Sequence, residues 1–203
     1  MQAYYFQSVS EAGTFLNQEI QKDILHQINL KGEGLLILPG GNSIKLFFPY
    51  LLTLDVPWNK VTIGLSDERD VPLHHDMSNE KQLKESFLNY LPAPNYIPLN
   101  EKFLTKIKAF SPITILSMGI DGHLASLFPE EAPEWTQVGM RLYHTKKQIP
   151  NRISLSEEAL LLSHKIYILA LGKERQCLLD NIQNSYPCLN RIYNNSIFMS
   201  IDE

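Results

Sequence analysis

Four short aliphatic runs, separated by longer stretches of helical spacing, constrain this chain more than any other feature. They are GLLILP at 34 to 39, VTIGLSDE at 61 to 68, ITILSMG at 113 to 119 and KIYILALG at 165 to 172. Short β-branched or leucine-rich runs of this kind mark strands buried on both faces of a parallel sheet. Between them, Ser43 to Leu54, Asn79 to Tyr90 and Lys173 to Asn184 carry apolar residues at helical intervals, and Ser78 is placed to cap the second. The alternation predicts a βαβα chain of the α/β class. A final run, Ser196 to Ile201, reads as an added edge strand. Leu91 to Pro98, with Pro92, Pro94 and Pro98, reads as an irregular connection.

With 203 residues, 44% of them apolar, the chain can bury one substantial core, and residues 1–203 are expected to form a single domain. Its 18 basic and 22 acidic residues nearly balance, without a basic stripe, which argues against a nucleic-acid partner. An anionic ligand must therefore be held by a local site. The N-terminal MQAYYFQSVSEAGTF has no positive n-region or continuous apolar h-region, and Ser163, His164 and Lys165 interrupt the most apolar stretch, Ala159 to Gly172. No secretion signal or membrane partner is expected. Cys177 and Cys188, the only cysteines, have no CxxC spacing and read as reduced thiols of a cytoplasmic protein.

Ligands of open parallel sheets bind beyond the carboxyl ends of the strands, so the four strand ends are where chemistry is expected. After the first comes Pro39-Gly40-Gly41-Asn42-Ser43, whose glycines let the backbone approach an anion at the start of a helix. The second ends in Ser66-Asp67-Glu68-Arg69-Asp70-Val71-Pro72, a charged cluster that is either a solvated surface or part of a site. The third ends in Gly119-Ile120-Asp121-Gly122-His123-Leu124-Ala125-Ser126, where a histidine stands two residues after an aspartate. An imidazole oriented by a carboxylate is suited to deprotonating water at neutral pH. The other histidines have no such setting: His26 lies in an amphipathic helix, His144 and His164 are isolated, and His74 and His75 share a loop. The fourth strand leads into Gly172-Lys173-Glu174-Arg175, and Arg152 opens a short strand upstream. Arginine forks match phosphate oxygens, so both arginines are candidates to complete an anion site.

These motifs resemble the 6-phosphogluconolactonase family. Gly119 to Pro129 fits its GxDGHxASLFP pattern throughout, Asp67 to Pro72 followed by Ser78-Asn79 fits DERxVP and SN, and Arg152-Ile153-Ser154-Leu155 fits RiTl. Two departures stand out: Pro39 opens what is SGGSTP in the family, and Arg175 replaces the lysine of GxxK. The related glucosamine-6-phosphate deaminases have GHIAFNEP after the histidine and a tyrosine at the position of Arg69, and match less well.

The resemblance implies a three-layer α/β sandwich with a mostly parallel, Rossmann-like sheet. It also implies hydrolysis of 6-phospho-D-glucono-1,5-lactone to 6-phosphogluconate in the oxidative pentose phosphate pathway. His123 would be the general base, with Asp121 or Asp67 fixing its ring and Arg69 meeting either the oxyanion or the phosphate. Gly40, Gly41, Asn42, Ser43, Arg152 and Arg175 would hold the phosphate. No metal or organic cofactor is implied, and the protein is expected as a monomer or small homo-oligomer. The alternatives are a deaminase-like aldose–ketose enzyme and a non-catalytic phosphosugar-binding regulator. A covalent serine mechanism through Ser66 or Ser126 lacks the G-x-S-x-G elbow.

Overall fold

The computed structural model describes residues 2–129, 137–143, 150–179 and 189–202. His144, Cys188 and the 180–184 end of the expected last helix lie outside the described residues. In chain order the first half contains β1 (Gln2–Phe6), α1 (Val9–Lys31), β2 (Gly34–Leu38), α2 (Asn42–Lys45), α3 (Phe48–Leu51), β3 (Val61–Leu65), β4 (Asp67–Arg69), α4 (Asn79–Ser86) and β5 (Asn95–Tyr96). The second half contains α5 (Glu101–Phe110), β6 (Ile113–Ser117), β7 (Met140–Tyr143), β8 (Arg152–Leu155), α6 (Glu157–Leu160), β9 (Lys165–Leu171), α7 (Lys173–Leu179), α8 (Asn190–Asn194) and β10 (Ile197–Ile201).

Seven strands form one sheet in the order β1-β10-β9-β6-β2-β3-β5, paired in parallel throughout. Successive side chains of each strand face opposite sides, and both sides are buried. Leu36 and Leu38 join the core formed with α1, α3 and α4, whereas Leu35 and Ile37 join the core formed with α5, α6 and α8. This is the three-layer arrangement. The long helix α1 starts on Ser8, whose hydroxyl accepts from the Glu11 N–H, while Glu11 accepts in return from the Gln7 N–H. It ends at Gly32, at φ 80°. At the opposite end of the sheet from the candidate site, Asp23 of α1, 4% exposed, accepts from Tyr167 Oη at 2.8 Å and Lys165 Nζ at 2.9 Å, tying α1 to β9.

Several expectations are corrected. Ser196 to Ile201 supplies β10, an interior strand between β1 and β9, and the edge is taken by β1, for which no strand was expected. Its QAYYF sequence, exposed or half-exposed except at Phe6, lacks the aliphatic run of the other strands and conceals it. Val61 to Glu68 is not one strand. The chain bends at Ser66, leaving β3 in the large sheet and starting β4 in a second, antiparallel sheet ordered β4-β8-β7. Ser43 to Leu54 forms the two short helices α2 and α3, the second with Pro49 in its first turn. The Asn79 to Tyr90 stretch is α4 followed by a 3₁₀ turn at Leu88–Tyr90, and the proline-rich connection contains the two-residue strand β5. Among the described residues no helix is long and apolar enough to cross a membrane.

Gly64 lets Phe103 of α5 pack tightly onto the sheet: a Cβ there would sit 2.1 Å from Cζ of the fully buried Phe103. Gly64→Ala should therefore destabilise the protein by about 1–3 kcal/mol through overpacking. The expected readout is a lower denaturant midpoint at unchanged slope. An unchanged midpoint would mean that this layer is not packed so closely.

Candidate active site

The strand order reverses between β2 and β6. From β2 the sheet continues to β3 and β5, and from β6 it continues the other way to β9, β10 and β1. A parallel sheet leaves a crevice at such a point, outside the carboxyl ends of the two strands. A cavity of about 160 Å³ lies there, walled by Pro39 to Ser43 after β2 and by Ser117, Met118, Gly119, His123 and Ala125 after β6. Asp67, Arg69, Asn79, Arg152 and Arg175 complete the wall. The structure thus gathers at one cavity the candidate residues Gly40, Gly41, Asn42, Ser43, Asp67, Arg69, His123, Arg152 and Arg175. Asp121 is not part of the wall but touches His123.

The loop after β6 presents that histidine. His123 Nδ1 and Asp121 Oδ1 are 2.5 Å apart, and the His123 N–H also points to Asp121 Oδ1 at 3.3 Å. The hydrogen bond to His123 holds the Asp121 carboxyl down at about 2, so it is ionised and can only accept. Nδ1 must carry the proton, which leaves the Nε2 lone pair as the basic position. Gly119 makes this pairing possible, because a Cβ there would lie 2.1 Å from His123 Nδ1 and 2.6 Å from Asp121 Oδ1. Beneath the loop, Tyr193 Oη of α8 donates to the Gly122 carbonyl at 2.5 Å. Ala125 turns the chain back at φ 53°, a left-handed conformation unusual for alanine.

Asp67 does not contact the imidazole. Its buried carboxylate accepts from Ser66 Oγ at 3.0 Å and Ser126 Oγ at 2.7 Å, with Arg152 Nη1 at 3.9 Å from Oδ2. Both serine hydroxyls are fully buried and committed to this carboxylate. Arg69 and Arg152 stand directly opposite in the β4–β8 register. Like charges in that position repel. Burial first, and then the Arg69 charge, pull the Arg152 guanidinium below its usual range. An anion between the two would relieve this repulsion. Arg175 reaches the cavity from α7 but also donates through Nε to the Met118 carbonyl at 2.8 Å and through Nη1 to the Leu171 carbonyl.

Four residues that matter here have no site role assigned from the sequence, although Glu68 and Asn79 fall within its motifs. Glu68 is neither solvated nor aimed at the cavity. Its carboxylate accepts from the N–H groups of Asn79 and Glu80, both at 2.7 Å, and from Ser78 Oγ at 3.2 Å, fixing the start of α4. Asn79, thereby placed, donates through Nδ2 to the Asp67 carbonyl at 3.0 Å. The others are Ser117 and Tyr193. Acidic capping of a helix N-terminus is a legible signal in DER followed by SN, whereas Tyr193 follows from no local pattern.

The family model for "Glucosamine-6-phosphate isomerases/6-phosphogluconolactonase" matches residues 7–190. A 6-phosphogluconolactonase of Helicobacter pylori is 31% identical over 180 residues, spanning 82% of this chain and 76% of the relative. The crystal structure of a 6-phosphogluconolactonase from Shewanella baltica superposes with a TM-score of 0.84 at 21% identity, covering 100% of this chain and 98% of the other. A monomeric glucosamine-6-phosphate deaminase superposes with a TM-score of 0.79 at 13% identity, covering 100% and 98%. The fold is therefore common to both activities.

The Asp121 carboxyl, lowered from 3.8 to about 2 by His123, implies a pH-dependent stability increment. A depressed carboxyl contributes fully above its unfolded value and loses that contribution as pH falls through its folded value. The stability difference between the parent chain and Asp121→Asn should thus shrink as pH is lowered from about 5 toward 2. Denaturant midpoints of both proteins across that range check it, and a constant difference would contradict the pairing.

Proposed function

Since the chain belongs to the 6-phosphogluconolactonase family, within the glucosamine-6-phosphate isomerase/6-phosphogluconolactonase group, we propose that it hydrolyses 6-phospho-D-glucono-1,5-lactone to 6-phosphogluconate, the lactone-opening step of the oxidative pentose phosphate pathway. The observation that carries the reading is the His123–Asp121 pair at the edge of a cavity whose lining includes three arginines and the Gly40–Ser43 turn.

A δ-lactone is an ester, so its opening needs an activated water, stabilisation of the tetrahedral oxyanion and a proton for the departing ring oxygen. With Nδ1–H held by Asp121, Nε2 of His123 takes a proton from water as the water attacks the lactone carbonyl. The imidazolium formed is stabilised by the Asp121 carboxylate and returns the proton to the ring oxygen as the C–O bond breaks. Negative charge on the former carbonyl oxygen develops in the positive field of Arg69 and Arg152. The dianionic 6-phosphate sits against Gly40, Gly41, Asn42 and Ser43 with Arg152 and Arg175, where its charge offsets the guanidinium repulsion. This sequence uses no metal and no organic cofactor. A covalent route through Ser66 or Ser126 is disfavoured, because both hydroxyls are spent on Asp67 rather than on an imidazole.

Acid release from freshly made phosphorylated lactone, above the spontaneous rate, tests the reading. Ammonia release from glucosamine 6-phosphate without lactone turnover would instead favour the deaminase chemistry. His123→Ala should lower kcat by about 10² to 10⁴, the usual contribution of a positioned acid–base group. A folded variant with near-normal rate would remove His123 from the mechanism. Asp121→Asn should lower kcat and shift the acid limb of the pH–rate profile to lower pH, since losing an anionic partner disfavours the imidazolium. An unmoved limb would mean that Asp121 does not tune the base.

A further inference from the structure

Most buried polar atoms in folded proteins have a hydrogen-bond partner, and those that do not call for an explanation. Several of the side chains that line the cavity carry such atoms, among them Arg69 Nε, Asn79 Oδ1 and Ser117 Oγ, which have no partner among the described residues. Asn79 is the most informative of them. It is 1% exposed, and its amide is oriented by the hydrogen bond from Nδ2 to the Asp67 carbonyl, which fixes Oδ1 as the atom left over. The opposite orientation would set two carbonyl oxygens against each other.

The surroundings are built to keep this amide where it is. Glu68 uses both carboxylate oxygens on the backbone N–H groups of Asn79 and Glu80. Gly40 packs directly against this amide and has no side chain where it sits: a Cβ would lie 2.0 Å from Asn79 Cγ and Oδ1. Gly40 is not in the left-handed region, unlike Gly41 at φ 88°, so its backbone does not itself require glycine. The close approach of Asn79 is what does.

An amide oxygen accepts and cannot donate. A phosphate dianion offers it no proton, whereas the ring hydroxyls of a sugar lactone do. We infer that Asn79 is a substrate-binding residue that accepts a hydrogen bond from one of the sugar hydroxyls, setting the orientation of the ring between the phosphate at the arginines and the carbonyl at His123. The inference rests on the lactonase reading and adds to it the contact for the neutral, hydroxyl-bearing part of the substrate.

The test is a cycle between enzyme and substrate. Turnover of the phosphorylated lactone and of its 2-, 3- and 4-deoxy analogues is measured with the parent enzyme and with Asn79→Ala. Asn79→Ala should lose about tenfold in kcat/KM on the full substrate, the scale of one hydrogen bond. It should lose nothing further on the analogue that lacks the contacted hydroxyl, while the other analogues stay as sensitive as the full substrate. Gly40→Ala provides an independent variant should Asn79→Ala not fold. Its added methyl displaces the amide, and it should show the same missing sensitivity on the same analogue. Turnover by the parent with no coupling at any hydroxyl, in whichever variant folds, would overturn this inference alone. Absence of lactone turnover by the parent would overturn the lactonase reading and the inference with it.

Discussion

The buried carboxylate of Asp67 is the constraint on which the site depends. It lies just beyond the bend at Ser66, where the chain leaves the large sheet for the small one, and its partners come from three separate segments. Ser66 holds it from the bend, Ser126 from the loop after β6, and Arg152 from β8. A charge this deeply buried is costly without partners, so the three segments are kept together by the need to satisfy it. The loop bearing His123 and the strand bearing Arg152 are therefore positioned against each other by a group that does not touch the imidazole. Between the two carboxylates that the sequence offered as partners of His123, this geometry assigns the contact to Asp121 and a joining role to Asp67.

The second dependence is electrostatic. Arg69 and Arg152 are forced into opposition by the β4–β8 register, and Arg175 adds a third guanidinium at the cavity wall. Asp67 offsets part of this charge, at 3.9 Å from Arg152. An anion between the guanidinium groups would offset their mutual repulsion, which supports the proposed phosphate site.

Much of this was legible in the sequence because the strands advertise themselves. GLLIL, VTIGL, ITILS and KIYILAL are buried on both faces and read as strands without reference to any partner. Their carboxyl ends then point to the ligand crevice by topology alone, and the motif around His123 could be placed there. What stayed hidden depends on contacts far apart in the chain. The strand status of Gln2 to Phe6 comes from pairing with β10, nearly the whole chain away. The break after Leu65 exists because Asp67 to Arg69 pairs with β8, and no local pattern announces that second sheet. Asn79 stands out in the sequence only as part of the SN pattern, and its close approach to Gly40 is visible only in the fold.

The account makes the phosphate, not only the lactone, the object of recognition, and one comparison tests that most directly: kcat/KM of the unaltered protein on 6-phosphoglucono-δ-lactone against glucono-δ-lactone. Charge-assisted hydrogen bonds contribute about 1.5–3 kcal/mol each, so two arginines predict a preference of roughly 10² to 10⁴ for the phosphorylated substrate. Equal efficiency on the two lactones would contradict the account, because the arginine-lined cavity would then serve no anion.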